Sequence, residues 1–334
     1  VRRSKALALA SALVVALGGA GLLALTHEDR PRPLLLGISD ERPESLGDPR
    51  LRALGVRHAR VQASWDLLLP ERSDPARFPA LADERRRVAA WLAAARASGM
   101  RDVLLALKAS RDLPDEAPTP ERHRAGLAAL LAWIDAQGAG GLVGAISPWN
   151  EPNLVAATRP RPRLAGSYFP AVRRACAARG CVAVAGDFAD RPFSRSYLSA
   201  YLRGAGEPAP RVWGWHAYED AWSRALDDSL PRLRGFLAAL AVGARVWLTE
   251  QGGIVRRLRP GDDGRIAQDE ARAAGDLRFL LARAPRAGGR PVERFYVYQW
   301  LGEPPPRWDS GLIGPDGRAR ESYCVLARSA GLRC

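Results

Sequence analysis

Lysine is nearly absent from this 334-residue chain: of its 50 basic residues only Lys5 and Lys108 are not arginine. The arginines are scattered, and there is no run of five or more basic residues and no aromatic motif of an RNA-binding sheet. A formal charge of +14 therefore describes a diffusely basic surface, without the concentrated stripe of a nucleic-acid reader. No nucleic-acid partner is expected; an acidic polysaccharide or a cell envelope is the kind of partner such a surface would attract. Histidine is also scarce, and His27, His58, His123 and His216 lie far apart. With no Cys-x-x-Cys spacing among the four cysteines, no metal site is expected. No Gly-x-Gly-x-x-Gly or Walker sequence follows an early strand, which argues against an open doubly wound sheet.

What is present reads as a folded, exported protein. Apolar residues make up 47% and charged residues 26%, enough to bury a sizeable core. Arg2, Arg3 and Lys5 precede a run from Ala6 to Leu25 with no charge and only Ser11 as a polar side chain. That layout is an export signal, long enough to span a bilayer, and the small residues Gly18-Gly19-Ala20 suit a cleavage site. Residues 1–25 are thus expected to be a signal peptide or signal anchor, and residues 26–33 a short linker. With the basic end kept inside, the remaining chain lies outside the cytoplasm, secreted or anchored to the membrane through residues 6–25. In that setting the simplest of three pairings for the cysteines joins Cys176 to Cys181 and Cys324 to Cys334.

From residue 34 onward short apolar runs alternate with stretches of helical period, the pattern of repeated βα units and a parallel sheet. The expected strands are Leu34–Ile38, His58–Gln62, Val103–Leu107, Leu142–Trp149, Val182–Gly186, Val212–His216, Val246–Thr249 and Phe295–Gln299. Helices are expected over Ala80–Gly99, Thr119–Gly138, Leu164–Arg179, Ser194–Leu202, Trp222–Ala241, Ala267–Ala284 and Arg320–Ala330, the second opening on a Thr cap followed by Pro and Glu. Eight such units predict an α/β chain with a single-domain (β/α)8 TIM barrel over residues 34–334.

Chemistry in such barrels sits at the C-terminal strand ends. The fourth strand ends in Asn150-Glu151, the seventh in "VWLTEQGG" with Glu250, the sixth in "WHAYE" with His216 and Tyr218, the second near Arg60 and the eighth near Trp300. Two carboxyl groups at one mouth are what a glycosidic bond needs: one protonates the departing oxygen, and the other attacks the anomeric carbon or activates water. Taken singly, Asn-Glu-Pro also suits a helix start, and Glu250 could be half of a salt bridge; the pair carries the reading. Asp187, Asp190 and Glu303 are placed at solvated loops or subsite edges. Trp65, Trp149, Trp215 and Trp308 are candidate sugar platforms, with core packing expected for at least half of them.

Through "WNEPNL" (149–154), "HAY" (216–218), "LTEQGG" (248–253) and "QW" (299–300) the chain resembles clan A of the glycoside hydrolases, retaining barrels that include families five and thirty-nine. The resemblance implies that Glu151 is the acid/base and Glu250 the nucleophile. It also implies that Asn150 contacts the 2-hydroxyl, that Tyr218 and Arg60 hold Glu250, that His216 lies beside the sugar, and that Trp300 forms the floor of the subsite. Lys108-Ala109-Ser110 stands where many members carry a histidine, and Gln251-Gly252-Gly253 replaces the aromatic common after the nucleophile. The implied activity is retaining hydrolysis of a poly- or oligosaccharide by a monomer without cofactor. The alternative is a catalytically silent barrel that binds carbohydrate or cell envelope.

Overall fold

Each apolar run is short enough to be a strand and is followed by residues that cap or start a helix, and that alternation closes on itself. The structure, a computed structural model, describes residues 34–190, 194–223, 230–257, 268–285 and 292–334. The expected export segment and linker lie outside the described residues. Eight parallel strands form a closed barrel in sequence order: β1 Leu35–Ser39, β2 His58–Ser64, β3 Asp102–Lys108, β4 Val143–Ser147, β5 Val182–Ala189, β6 Val212–His216, β7 Arg245–Gln251 and β8 Val292–Tyr298. β1 pairs with both β2 and β8, so no edge is left open.

The helices between the strands follow local signals. Thr119 accepts the N–H of Arg122 and starts the helix Pro120–Ala136, as a cap with Pro at the first helical position should. Asp269 caps Glu270–Arg283 in the same way. Gly180, with φ 71°, ends Phe169–Arg179 in the left-handed conformation that glycine adopts without strain. Two expectations are corrected and one pair of elements is added. The stretch read as one helix over Leu164–Arg179 is two, Pro162–Ser167 and Phe169–Arg179. The stretch Trp222–Ala241 holds the helix Pro231–Ala239, while Trp222 closes a separate short helix, Tyr218–Trp222, with residues 224–229 outside the described set. Two short Pro-initiated helices, Pro43–Gly47 and Pro49–Ala53, follow β1, too short to show a helical period.

Apolar packing falls into two clusters. The larger fills the layer between barrel and helices. The smaller takes Leu104, Ala145, Val184, Val212, Trp247 and Tyr296 from six consecutive strands, which can meet only inside the barrel, as a packed plug. Toward the C-terminal strand ends the interior turns polar, with Arg60, Asp187, Thr249 and Glu250 all buried. Two disulfides, Cys176–Cys181 and Cys324–Cys334, tie the chain locally; such bonds are those of a protein that folds outside the reducing cytoplasm. Among the described residues no helix is long and apolar enough to cross a membrane.

Candidate active site

Arg60, on β2, organises the polar end of the barrel. It has no exposed surface, so a guanidinium there must find acceptors for its N–H groups. Nε and Nη2 donate to Asp187 Oδ2 at 3.2 and 2.7 Å, Nη2 also to Asn150 Oδ1 at 2.6 Å, and Nη1 to Ser39 Oγ at 3.1 Å and Glu250 Oε2 at 2.9 Å. One cation thus balances two buried carboxylates from β5 and β7. Burial works against its charge, but Asp187 and Glu250 outweigh it and hold Arg60 protonated.

Bulges aim the two acids at Arg60. The register between β7 and β8 shifts between Leu248 and Gln251, and that between β5 and β6 between Val184 and Asp187, so Glu250 and Asp187 lie where the strand's alternation is reset. Gly214 leaves room for this: a Cβ there would lie 2.3 Å from Asp187 Oδ1 and 2.8 Å from the Gly186 carbonyl oxygen. Glu250 also accepts from Gln62 Nε2 at 3.2 Å and Tyr218 Oη at 3.4 Å. Burial pushes the Glu250 carboxyl up, while His216 and Arg60 pull it back and nearby Glu151 adds to the rise; the net direction is upward.

Glu151 is held differently. It follows the strand end, where Asn150 N–H bonds Leu107 and Glu151 N–H bonds the Asp187 carbonyl at 2.7 Å. Its backbone is left-handed, φ 47°, a conformation that costs a side-chain-bearing residue of order 1 kcal/mol or more and that clusters at functional sites. The turn beyond is pinned by Asn153, whose side chain donates to the Ala189 carbonyl at 2.8 Å and accepts the Ala189 N–H at 3.0 Å. The Glu151 carboxyl meets His216 Nδ1 at 2.9 Å. Burial disfavours a charged His216, but Glu250 and Glu151 together outweigh it and raise its pKa.

Glu151, His216, Tyr218 and Glu250 line one pocket of about 350 Å³, with Tyr298 and Trp308. Gln251 clamps the turn that carries His216 and Tyr218, accepting the Ala217 N–H and donating to the Trp215 carbonyl, both at 2.8 Å. The structure therefore brings together Arg60, Asn150, Glu151, His216, Tyr218 and Glu250. Trp300 lies elsewhere: it is fully buried, donates its indole N–H to Asp48 at 2.9 Å and packs edge-on against Tyr323. The aromatic wall is instead Trp308, 5.6 Å from the rings of both Tyr218 and Tyr298. Trp308 is steadied by the neighbouring Asp309, which exchanges backbone hydrogen bonds with Arg256 and is ion-paired to Arg320. Trp65, Trp149 and Trp215 are buried core side chains.

Asp187 and Asp190, expected at solvated edges, are buried. Asp187 is Arg60's partner; Asp190 accepts the N–H groups of Glu219 at 2.6 Å and Asp220 at 3.2 Å, and burial pushes its carboxyl up to about 7. Gln62, Asn153 and Tyr298 carry no role in the sequence analysis, although Asn153 sits inside "WNEPNL", and Gln251 enters it only as a departure from the family pattern. Lys108, at the end of β3, is ion-paired to Glu41 at 3.1 Å and Glu84 at 3.4 Å. Among the described residues no group of three or more His, Cys, Asp or Glu side chains could hold a metal ion.

No protein-family model matches the chain, and no curated protein matches it in sequence. Solved structures do match in fold. A family-five, subfamily-eighteen glycoside hydrolase from Bifidobacterium longum, in complex with Manβ1-4GlcNAc, aligns with a TM-score of 0.62 at 14% identity over 90% of this chain and 78% of its own. A family 39 glycoside hydrolase from Bacteroides cellulosilyticus aligns at 0.56 and 17% identity, over 91% of this chain and 64% of its own. A family 113 β-1,4-mannanase aligns at 0.55 and 13% identity, over 90% and 98%. At these identities the likeness is one of fold: the chain shares its barrel with clan A glycoside hydrolases.

Proposed function

We propose that this protein is a retaining glycoside hydrolase acting outside the cytoplasm, with Glu250 as nucleophile and Glu151 as acid/base. The observation that carries the reading is a single pocket lined by two glutamates, one on the turn after β4 and one on β7, whose hydrogen-bond partners differ. Glu250 receives three donors, one of them a buried guanidinium, and charge-assisted hydrogen bonds favour the ionised form. Glu151 is bonded through its carboxyl to His216 and delivers the proton.

In the first step Glu250 attacks the anomeric carbon while Glu151 protonates the departing glycosidic oxygen, giving a glycosyl ester of Glu250. In the second, Glu151 takes a proton from water as the water attacks the same carbon and frees Glu250. Forming the ester removes the negative charge beside Arg60, and its release restores the ion pair, so Arg60 contributes to leaving-group expulsion in the second step. Asn150, whose oxygen is held by Arg60, has its amide N–H groups left to donate to the hydroxyl next to the anomeric carbon. Tyr298 and Trp308 supply the apolar faces for the ring. The role assigned to Trp300 passes to them. No cofactor enters either step.

The test is Glu151→Gln with glycosides of graded leaving-group quality. Hydrolysis of poor leaving groups should fall by about 10²- to 10⁴-fold, the usual contribution of a general acid. With a dinitrophenyl leaving group, which needs no protonation, the first step should persist and the glycosyl-enzyme accumulate. A loss independent of leaving group would remove Glu151 from the acid role.

A further inference from the structure

We propose that the end of the barrel opposite the pocket, where the strands begin, docks on a bilayer surface rich in anionic lipid. The proposal stands apart from the glycosidase reading and adds an orientation to it: the pocket faces away from the lipid.

Charge is distributed unevenly between the two ends. Among the described residues, the end where the strands begin carries four carboxylate side chains, Asp102, Asp135, Glu207 and Glu293. Three of them are already ion-paired, to Arg294, Arg179 and Arg245. Beyond those pairs stand Arg96, Arg101, Arg203, Arg211 and Arg328, all exposed and none within ion-pair distance of a described carboxylate. Arg96, Arg203 and Arg328 lie in the last turns of their helices, where a cation complements the dipole. That does not account for Arg101 and Arg211, which lead into β3 and β6 and whose backbones bond those of Arg57 and Arg245 at the strand starts. At the pocket end, by contrast, Arg42, Arg72, Arg257 and Arg318 are each held by a carboxylate.

The same end exposes apolar side chains: Val242 is 98% exposed, Leu35 41% and Leu332 37%. Val242 precedes β7, Leu332 follows the helix Glu321–Ser329 that comes after β8, and Leu35 opens β1, so the three occupy neighbouring sectors of one closed ring. Arg203 and Arg211 flank them on the β6 side, and Arg96 and Arg101 on the β3 side. Single exposed apolar side chains are ordinary. A group of them rimmed by unpaired cations suits an anionic interface, where apolar side chains enter the headgroup boundary and arginines meet the phosphates. An acidic polysaccharide would use the charges and leave the apolar side chains without a role, so lipid is the better fit. The chain also enters the barrel here, at β1, and eight residues separate Leu34 from the uncharged run Ala6–Leu25. A stretch of that length reaches at most about 30 Å, so a bilayer that holds the run is brought to this end.

The barrel and its packing lie wholly within residues 34–334, so the chain from residue 26 onward serves as the test protein, free of the apolar run. It is mixed with vesicles of equal parts phosphatidylglycerol and phosphatidylcholine, or of phosphatidylcholine alone, and the bound fraction is read by sedimentation. Binding should be confined to the anionic vesicles and weaken as salt is raised. Each arginine at such a surface is worth about a five-fold gain in affinity, so R101Q/R211Q should bind about 10- to 30-fold more weakly. V242S/L332S should bind about 10-fold more weakly at unchanged charge, whereas Arg318→Gln, at the pocket end, should match the wild type. The substituted side chains are exposed, and melting curves check that each variant folds. The proposal is overturned if the wild type ignores both kinds of vesicle, whether or not it adheres to an acidic polysaccharide. It is equally overturned if R101Q/R211Q or V242S/L332S binds the anionic vesicles as tightly as Arg318→Gln does.

Discussion

The two glutamates of the pocket are held in opposite ways. Glu250 grows out of a strand, is only 9% exposed, and is bonded by Arg60, Gln62 and Tyr218. Glu151 stands four residues past the end of β4 on left-handed backbone, with His216 as its bonded neighbour. The contrast follows from the work proposed for each. A nucleophile must present one oxygen along one line and stay charged while doing so, which a rigid, multiply bonded socket provides. An acid/base must release a proton, then take one back from water, and too many fixed donors would lock it in one state. The socket is built into the barrel interior, while the acid/base belongs to a turn held by Asn153.

Breaking the Glu250 side should have the largest consequence. Glu250→Ala is expected to lower kcat by about 10⁵-fold or more, the scale seen when a covalent nucleophile is removed. Added azide should restore part of the activity with inverted product configuration, read by NMR of the released sugar; rescue with unchanged configuration would contradict the assignment. Next comes the socket itself. Arg60→Met leaves Asp187 and Glu250 buried without a cation and should destabilise the fold by about 3–5 kcal/mol, measured by denaturant unfolding. A change below about 1 kcal/mol, the worth of an exposed pair, would mean that the charges are solvated.

A smaller effect sharpens the same comparison through pH. Glu250 must be ionised to attack, and its pKa is raised, chiefly by burial. Activity should therefore fall on the acid side as Glu250 takes up a proton, at a pH above the ordinary glutamate value of about 4.3. The kcat/KM profile of the free enzyme reports this limb, and a limb at or below 4.3 would mean that Arg60 and His216 overcome burial. Gly214→Ala should move the limb too, since its methyl would crowd Asp187 and disturb Arg60's other partner.

Much of this is legible in the sequence. The eight strands, the Thr119 cap, both cysteine pairs and the convergence of Asn150, Glu151, His216, Tyr218 and Glu250 with Arg60 all follow from local patterns and one rule about strand ends. What escaped depends on geometry that strand alternation does not carry. Asp187 reads as a solvated loop or subsite edge until the bulge after Val184 resets its register and turns it under Arg60. The family resemblance implies that Trp300 is a subsite floor, but its direction is set by acceptors from the distant Asp40 and Asp48, which take its backbone and indole N–H groups. Trp308 lines the pocket beside Tyr298, the last residue of β8, because it sits on a loop pinned by Arg256 and Arg320.

The most direct measurement of the central claim is covalent trapping. The chain from about residue 26 onward would be incubated with activated 2-fluoro glycosides of several sugars, and the adduct located by intact mass and peptide mapping. The account predicts one stable glycosyl group, on Glu250, which forms in the wild type and is absent in Glu250→Ala. Labelling of Glu151 or of any other residue, or turnover of the same sugars' glycosides with no adduct formed, would contradict it.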